Sequence, residues 1–290
     1  MIRVLQGTCD EGEDRCNMSY KEISLQLKGM SQAFGHDFEA DYVGFQKNVE
    51  RALLFFLDAM FPSYRKYPEL FCEGDCDVRE DALVKACGYL TAALHNHAGA
   101  EEARRVSQTL LERIPAIYEL LQSDVMAGYE GDPAAASADE VILAYPAFIA
   151  IGTYRIAHEL YLLGQKMAAR LMSEYAHRKT GIDIHPGASI GRHFFIDHGT
   201  GVVIGETCVI GEHVKLYQHV TLGAKSFPVA EDGTLVKGIK RHPNIGNYVV
   251  IYAGATILGG DVYIGDHSVI GGNVWLTSSV EAGTTVVQQQ

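Results

Sequence analysis

The stretch that decides the fold is Ile204–Leu222, with the sequence IGETCVIGEHVKLYQHVTL. It carries Ile or Leu at every sixth position, and glycine directly follows three of these four residues. A period of six matches neither the 3.6 residues of an α-helix nor the alternation of a β-strand. It is typical of a parallel β-helix, in which three six-residue repeats form one triangular coil. The same spacing extends over 13 positions: Ile184, Ile190, Ile196, Ile204, Ile210, Leu216, Leu222, Ile245, Ile251, Ile257, Ile264, Ile270 and Leu276.

The repeat also predicts where the coil is interrupted. Two extra residues lie near positions 199–203, a long gap separates Leu222 from Ile245, and one extra residue lies at Gly259-Gly260. We expect each Ile or Leu to point inward and to stack on the residue about 18 positions later, while glycine permits the tight corner. An antiparallel sandwich is the alternative, and it is disfavoured because sandwiches do not keep a six-residue period over this length.

The first half of the chain shows helical periodicity instead. Six apolar residues share one helical face, and Pro62 ends that segment. Residues 128–138 predict a loop, and Pro146 then opens a helix that Gly181 ends. Ile149, Ile156, Leu160, Met167 and Leu171 form an apolar seam along this second helix. The six residues of the first face are Val49, Ala52, Leu53, Phe56, Leu57 and Met60.

Together these patterns predict an α+β chain made of two kinds of structure. An N-terminal all-α helical domain with a role in assembly is expected over residues 1–145. A long connecting helix is expected over residues 146–181. A parallel β-helix domain is expected over residues 182–287, with an inserted loop at 224–240.

The charge of the chain is unevenly distributed. The 290 residues contain 24 Lys and Arg against 36 Asp and Glu, a formal net charge of −12. Residues 1–144 hold 13 basic and 25 acidic side chains, whereas residues 145–290 hold 11 of each. An acidic chain is a poor partner for nucleic-acid phosphates or anionic lipid, so neither is expected.

The termini and cysteines predict a cytoplasmic protein with reduced thiols. The N-terminus becomes acidic after a few residues and has no apolar core of the kind that secretory signals carry. The longest uncharged run, Val141–Tyr154, is short for a membrane span and is interrupted by Pro146 and Gly152. The six cysteines contain no Cys-x-x-Cys pair, and Cys72 with Cys76 is a weak candidate metal pair.

Five motifs mark the second half of the chain: YRIAH at 154–158, DIHPGASIG at 183–191, IDHGTGVVIGET at 196–207, QHVTLG at 218–223 and RHPNIG at 241–246. They resemble the serine O-acetyltransferases, a family of hexapeptide-repeat acyltransferases. The resemblance implies a left-handed parallel β-helix, an exception to the right-handed rule for parallel crossovers. It also implies trimers with active sites between neighbouring coils, or hexamers joined through the helical domains. The implied reaction converts acetyl-CoA and L-serine to O-acetyl-L-serine, for cysteine biosynthesis.

Acetyl transfer to a hydroxyl group needs a general base, and His198 is the candidate. It lies where two extra residues break the six-residue period, so its ring can leave the stack. Asp183 lies 15 residues earlier, close to one coil turn, and can fix the tautomer of the imidazole. The resemblance gives the same catalytic pair. The alternative is a structural role in hydrogen bonding at the corner.

The resemblance assigns further roles within the site. It implies that Asp197 binds the ammonium group of the substrate, that Arg241 binds its carboxylate, and that His242 orients the serine or the thioester carbonyl. It also implies that Asp132 reaches the substrate from the helical domain. Without the resemblance, Arg241-His242 would be a solvated pair in a loop, and Asp132 a helix cap or turn residue.

Acetyl-CoA is expected as the acetyl donor, in a groove between coils. Small residues at Gly223-Ala224 and Ala253-Gly254-Ala255 would let its pantetheine arm approach the backbone. Lys225, Lys237 and Lys240 are candidates for its phosphates. Val269 falls where many relatives have a lysine that contacts coenzyme A.

Other functions stay open. The acceptor could be another hydroxyl compound such as homoserine or a sugar, or the β-helix could be non-catalytic. The spacing of His193 and His198 matches zinc enzymes built on this fold, but no metal is expected because His198 belongs to the DHGTG motif. The sequence shows neither a Gly-Val-Pro-Ala-Arg segment nor an acidic tail ending in Ile. A complex with O-acetylserine sulfhydrylase through the C-terminus is therefore not expected.

Overall fold

The computed structural model describes residues 19–33, 42–64 and 77–288. The chain divides into two compact units, Met1–Tyr42 and Val43–Gln290. The first unit contains helix α1, Tyr20–Ala33. The Oγ of Ser19 accepts a hydrogen bond from the Glu22 amide, and the Glu22 carboxylate accepts one from the Ser19 amide, so a capping box begins this helix. The predicted Cys72–Cys76 pair lies outside the described residues.

The other helices confirm the predicted helical character of the first half. The predicted apolar face between Val49 and Met60 is buried in α2, which ends before the short 3₁₀ turn at Pro62–Tyr64. The helices after α1 are α2 (Tyr42–Met60), α3 (Val78–Ala98), α4 (Ala100–Gly131), α5 (Ala138–Ala144), α6 (Pro146–Leu162) and α7 (Lys166–Thr180).

Two helix boundaries differ from the sequence prediction. The predicted loop at 128–138 begins later, because α4 continues to Gly131. The predicted single helix over 146–181 is wrong, since Gly164 adopts a φ of +83° between α6 and α7. This break changes the phase of the apolar seam, and Met167 is consequently 61% exposed. Gly181 ends α7 in the left-handed conformation, as predicted.

No single helix of the described segments has the length and apolar character needed to cross a membrane. The pair α5 and α6 meets both criteria together, but the two helices are bent by 81° relative to each other. Eleven residues of α6 are buried, including Ile156 and Leu160 of the predicted seam. The apolar character of this pair is therefore that of a helix in the protein core.

The second half of the chain is a coil of two- and three-residue strands, all paired in parallel. Sheet A has the order β1-β4-β7-β10-β13, sheet B the order β11-β8-β5-β2, and sheet C the order β14-β12-β9-β6-β3. The strands are β1 (Asp183–Ile184), β2 (Ser189–Ile190), β3 (Phe195–Ile196), β4 (Val203–Ile204), β5 (Val209–Ile210), β6 (Lys215–Leu216), β7 (Thr221–Gly223), β8 (Asn244–Ile245), β9 (Val250–Ile251), β10 (Thr256–Leu258), β11 (Tyr263–Ile264), β12 (Val269–Ile270), β13 (Trp275–Leu276) and β14 (Thr285–Val286).

The register confirms the six-residue repeat. On sheet A, Ile184 pairs with Ile204, Ile204 with Leu222, and Leu222 with Ile257. Sheets B and C continue the same pattern, and 12 of the 13 predicted residues are buried, with Leu276 half-buried at the end of sheet A. These side chains belong to one hydrophobic core that also includes the helices after α1.

Successive strands pass from sheet A to B to C, which creates an A–B, a B–C and a C–A corner in every turn. The B–C corner carries four residues with φ between +56° and +59°, and their rings stack with centroids 4.2 to 4.8 Å apart. These residues are His193, His213, Tyr248 and His267. The coil thus repeats one backbone conformation along each edge, so a residue's place in the repeat determines its corner.

A buried ion pair attaches the helices to the first turn of the coil. Arg155 of α6 donates two hydrogen bonds to the Asp124 carboxylate of α4, at 3.0 and 3.1 Å. The same guanidinium donates to the carbonyls of Ile190 (2.5 Å) and Gly191 (2.6 Å). Asp124 also accepts the Phe194 amide at 2.8 Å. Both charged groups of this pair are thus hydrogen-bonded. The pair therefore fixes the B–C corner that directly precedes β3.

Asp124→Asn tests this attachment, because it keeps the side-chain shape and leaves the Arg155 charge buried without a counter-ion. We expect the free energy of unfolding to fall by about 3–5 kcal/mol, measured by chemical denaturation. The control is Glu102→Gln, which breaks an exposed ion pair with Arg105 inside α4 and should leave the unfolding midpoint unchanged. Equal effects of the two substitutions would contradict the assignment.

Candidate active site

His198 lies on the C–A corner that joins β3 to β4, as the broken period predicts. Its φ is +59°, and its side chain is 71% exposed. Gly199 and Gly201 also have positive φ, and a Cβ on Gly199 would lie 2.4 Å from Cδ1 of Ile182. The Oδ1 of Asp197 is 3.8 Å from Nε2 of His198, and the Asp197 side chain is only 12% exposed. An accessible imidazole therefore lies beside a nearly buried carboxylate.

A second carboxylate, that of Asp132, lies near the same corner. It accepts hydrogen bonds from the Tyr145 hydroxyl (2.5 Å) and from the Ala134 amide (2.8 Å). These bonds, together with the nearby Lys215 ammonium group and the His198 imidazole, lower the pKa of Asp132. The bond to Asp132 raises the pKa of Tyr145 to about 12. Asp132 is thus an ionised carboxylate within electrostatic range of His198.

Lys215 connects these two carboxylates. Its Nζ lies 3.4 Å from Oδ2 of Asp197 and donates a 2.6 Å hydrogen bond to the carbonyl of Gly131, which directly precedes Asp132. The structure therefore brings together two predicted substrate residues and the predicted base. We call this group the His198 cluster: Asp132, Tyr145, Asp197, His198 and Lys215.

Asp183 lies on β1, beside the His198 corner but not bonded to it. In the described chain, no hydrogen bond or ion pair joins Asp183 to His198. The Asp183 carboxylate instead lies near the end of α7. One carboxylate oxygen each of Asp183 and Glu174 and one ring nitrogen of His177 lie within 4.8 Å of one another there. The catalytic pairing of Asp183 with His198 stays a prediction.

Arg241 and His242 lie on a different edge, the A–B corner between β7 and β8. Arg241 donates a 2.6 Å hydrogen bond to Oε2 of Glu206, whose Oε1 accepts the Tyr161 hydroxyl at 2.8 Å. Burial alone would raise the pKa of Glu206, but these two hydrogen bonds, together with the neighbouring Arg241 charge and the His185 ring, outweigh it and lower the pKa. The guanidinium that the sequence assigns to substrate binding is thus oriented by an ionised carboxylate. We call Glu206, Thr207, Arg241 and His242 the His242 cluster.

The structure determines the tautomer of His242. Its Nδ1 lies 3.1 Å from the Thr207 amide nitrogen, which can only donate, and 2.9 Å from the Thr207 hydroxyl. Nδ1 is therefore the acceptor, and the proton of the neutral ring resides on Nε2. Burial, with the adjacent Arg241 charge, lowers the pKa of His242 to about 4. His242 is consequently a neutral N–H donor over the physiological pH range.

The His242 ring lies directly over Gly205. A Cβ at position 205 would be 2.0 Å from Cδ2 and 2.2 Å from Nε2 of the ring. Any other residue would displace the imidazole, so this glycine of the repeat is required by the site as well as by the corner.

Two of the predicted phosphate-binding lysines line one open cavity of about 420 Å³. Lys225 and Lys240 lie at the two ends of the inserted segment, and Arg241 and Asp261 also line this cavity. The Nζ of Lys240 donates a 2.5 Å hydrogen bond to the Thr207 carbonyl, and partial burial lowers its pKa. Lys237 is exposed elsewhere in the segment.

The two stretches predicted to contact the pantetheine arm border sheet A on opposite sides, one where its strands end and the other where they begin. Gly223 ends β7, and Ala224 follows it at the A–B corner. Ala253, Gly254 and Ala255 form the C–A corner before β10, where Gly254 has a φ of +75° and a Cβ would lie 2.2 Å from Oδ1 of Asn273. In one chain these two stretches therefore lie on separate edges.

The two clusters are separated in the same way. The His198 cluster lies on the C–A corner and the His242 cluster on the A–B corner. A face of the coil is about six residues wide, which at ~3.3 Å per residue places these corners roughly 20 Å apart. One small substrate cannot contact both clusters of a single chain.

The zinc spacing of His193 and His198 does not place the two rings together. His193 lies on the B–C corner, with Nε2 3.3 Å from Glu130 and its ring against His213. His198 lies at the far end of β3. His158, a conspicuous histidine of α6, bonds the Pro186 carbonyl at 2.8 Å.

Sequence reasoning missed Tyr145, Lys215, Glu206 and Thr207 as members of the site. Glu206 and Thr207 belong to the quoted GET motif and could have been considered with it. Lys215 had a signal too, because it is a charged residue at the outward position of a strand. Tyr145 is connected to Asp132 only by the path of α5 and had no sequence signal.

No protein-family model matches the chain. Among proteins of known function, the plasmid serine acetyltransferase of Synechococcus elongatus is 57% identical over 191 residues, which cover 66% of this chain and 60% of that protein. The aligned region thus spans less than two thirds of that relative. The serine acetyltransferase of Staphylococcus epidermidis is 47% identical over 167 residues, covering 58% of this chain and 74% of that protein.

Solved structures of serine acetyltransferases are also similar to this chain. Serine acetyltransferase 1 of Entamoeba histolytica, in complex with L-cysteine, superposes with a TM-score of 0.74 at 40% identity, over 82% of this chain and 86% of that one. The Neisseria gonorrhoeae enzyme in complex with serine gives a TM-score of 0.58 at 28% identity, over 92% of this chain and 91% of that one. The conclusion is that the chain belongs to the serine acetyltransferase family, and is an acyltransferase.

Proposed function

We propose that this protein transfers the acetyl group of acetyl-CoA to the hydroxyl of L-serine, giving O-acetyl-L-serine for cysteine biosynthesis. The observation that carries the proposal is the His198 cluster, in which an exposed imidazole lies 3.8 Å from the Asp197 carboxylate and within electrostatic range of that of Asp132. An acceptor that carries an ammonium group and a hydroxyl group on adjacent carbons fits two carboxylates and a base. The known acceptor of the relatives, serine, has this structure.

In the proposed reaction His198 removes the proton of the serine hydroxyl while the oxygen attacks the thioester carbonyl. The tetrahedral intermediate then expels the thiolate of coenzyme A, which takes a proton back from the imidazolium. Asp197 and Asp132 bind the ammonium group, and Asp183 completes the proposed pair with His198. General-base assistance of this kind contributes about 10²–10⁴ in rate.

His242 supplies the complementary function. A neutral Nε2–H, held by donors on Nδ1, can stabilise the oxyanion of the intermediate without taking part in proton transfer. Arg241, oriented by Glu206, binds the substrate carboxylate. The cavity lined by Lys225 and Lys240 takes the phosphates of acetyl-CoA, with the small residues at 223–224 and 253–255 against its pantetheine arm.

The complete site requires two copies of the chain, since one copy presents the two clusters on different corners. We propose a ring of left-handed coils in which the C–A corner of one copy faces the A–B corner of the next, so that three copies make three sites. The same contact would unite the two halves of the acetyl-CoA site. Further pairing of trimers through the helices is part of this proposal.

His198→Ala tests the general base. We expect release of free thiol from acetyl-CoA with L-serine to fall by at least about 10²-fold, because the hydroxyl then has no proton acceptor. The measurement is a continuous thiol assay on variants with unchanged thermal stability, run also with L-homoserine and L-threonine. Activity within threefold of wild type would refute the role, and a preference for homoserine would reassign the acceptor.

His242→Gln and His242→Ala test the neutral donor. Glutamine retains an N–H, so kcat should fall modestly, whereas alanine should lower it by about 10²–10³-fold. A group with a pKa of about 4 is already deprotonated above pH 5, so the pH profile between 5 and 8 should be the same in wild type and His242→Gln. Loss of an ionisation from that range would show that His242 titrates during the reaction.

A mixing experiment tests the shared site. His198→Ala and His242→Ala chains, each inactive alone, are co-expressed with different tags and purified as mixed assemblies. Every mixed trimer has one interface in three that joins two intact clusters, so about a third of wild-type activity should return. A site contained within one copy predicts no recovery.

A further inference from the structure

Lys215 is an unusual residue for its position in the coil. It lies on the outer side of β6, between Phe195 of β3 and Val250 of β9 in the register of sheet C. Its neighbours on both sides are thus apolar, and its own side chain is only 19% exposed. A lysine with this little exposure requires compensating partners, because removing an ammonium group from water is costly.

The partners of this ammonium group come from two different parts of the fold. Asp197 and the rings of Phe195 and Tyr217 belong to the coil, with Nζ 5.1 and 4.6 Å from the ring centroids. The Gly131 carbonyl belongs to the last residue of α4, where a lysine both satisfies an orphan acceptor and complements the helix dipole. Lys215 therefore crosses the boundary between helices and coil at the site itself.

The residues next to the two contacts of Lys215 belong to the proposed site. Asp132 follows Gly131 directly, and His198 follows Asp197 directly. The end of α4 also lies close against Phe195, since a Cβ on Gly131 would be 3.0 Å from its ring. One ammonium group thus links Asp197, which precedes the base, to Gly131, which precedes Asp132.

We infer that Lys215 is a positioning residue that joins Asp132 and Asp197 into one binding subsite for the acceptor's ammonium group. The inference rests on the proposed function and deepens it. Lys215 occupies Oδ2 of Asp197 and leaves Oδ1 directed at His198. The two carboxylates and one lysine have a formal charge of −1, which matches a single ammonium group. The subsite is thereby selective for amino-acid acceptors over hydroxy acids.

The experiment compares Lys215→Met with Lys215→Arg, and with Lys47→Met as a control at an exposed lysine of α2. Thiol release is measured with L-serine and with glycerate, which replaces the ammonium group by a hydroxyl. For Lys215→Met we expect the KM for L-serine to rise about 10- to 100-fold, with kcat and the KM for acetyl-CoA within about threefold of wild type. The preference for L-serine over glycerate should fall by a similar factor.

The pH profile gives a readout that a purely structural role would not change. The titratable and charged groups around Lys215 are Asp132, Asp197, His198, Tyr145 and Tyr217. In the proposed reaction the acidic limb of kcat/KM for L-serine reports protonation of the base, and loss of a neighbouring cation makes protonation of the nearby groups easier. The limb should therefore move to higher pH in Lys215→Met, and Lys215→Arg should restore most of it.

The outcomes separate the two levels of inference. An unchanged KM for L-serine and an unchanged acidic limb in Lys215→Met would overturn the positioning role. A fall in kcat together with a rise in the KM for both substrates, with a lowered melting temperature and no rescue by arginine, would assign Lys215 to stability alone. That result would overturn the positioning role as well. Absence of thiol release by the wild-type protein with L-serine would instead refute the proposed function.

Discussion

The inward stacking of aliphatic side chains is the interaction on which the rest of this structure depends. Each strand has only two or three residues, too few to be stable by its own hydrogen bonds. What holds a turn in place is the contact of Ile204 with Ile184 below and Leu222 above, repeated on all three sheets. A slip of one residue would turn these side chains outward, so the stack fixes the register. Every corner residue is then placed by its distance from the nearest stacked residue.

The end of α4 contacts the coil close to the corner of His198, and it contributes to the site there. Gly128 and Gly131 let α4 approach the Phe195 ring, and the buried Asp124–Arg155 pair prevents the approach from loosening. Asp132 is thereby delivered to the corner of His198. A shorter α4 would leave the base without its second carboxylate.

The same physics explains what the sequence could and could not predict. The 13 stacked positions and the corner of His198 follow from local spacing, because the repeat is itself local. The end of α4 could not be predicted, because Gly128 and Gly131 indicate a loop when only the sequence is considered. In the structure both lie in the helix, where they make room for the Phe195 ring of β3. The contacts of Lys215 and Tyr145 could not be predicted either, because their partners lie in other elements of the fold. The neutral state of His242 depends on an amide 35 residues away and on burial, which no motif reports.

The two clusters also differ in kind. The His198 cluster is open, with an exposed ring that can move and exchange protons, whereas His242 is buried, neutral and held on both sides by Thr207 and Gly205. A base needs access and mobility, while an oxyanion donor needs rigid preorganisation in a dry environment. The coil provides these environments on different edges and cannot provide both on one. In the proposed assembly this separation has a chemical consequence: the base and the oxyanion donor meet only where two copies are in contact.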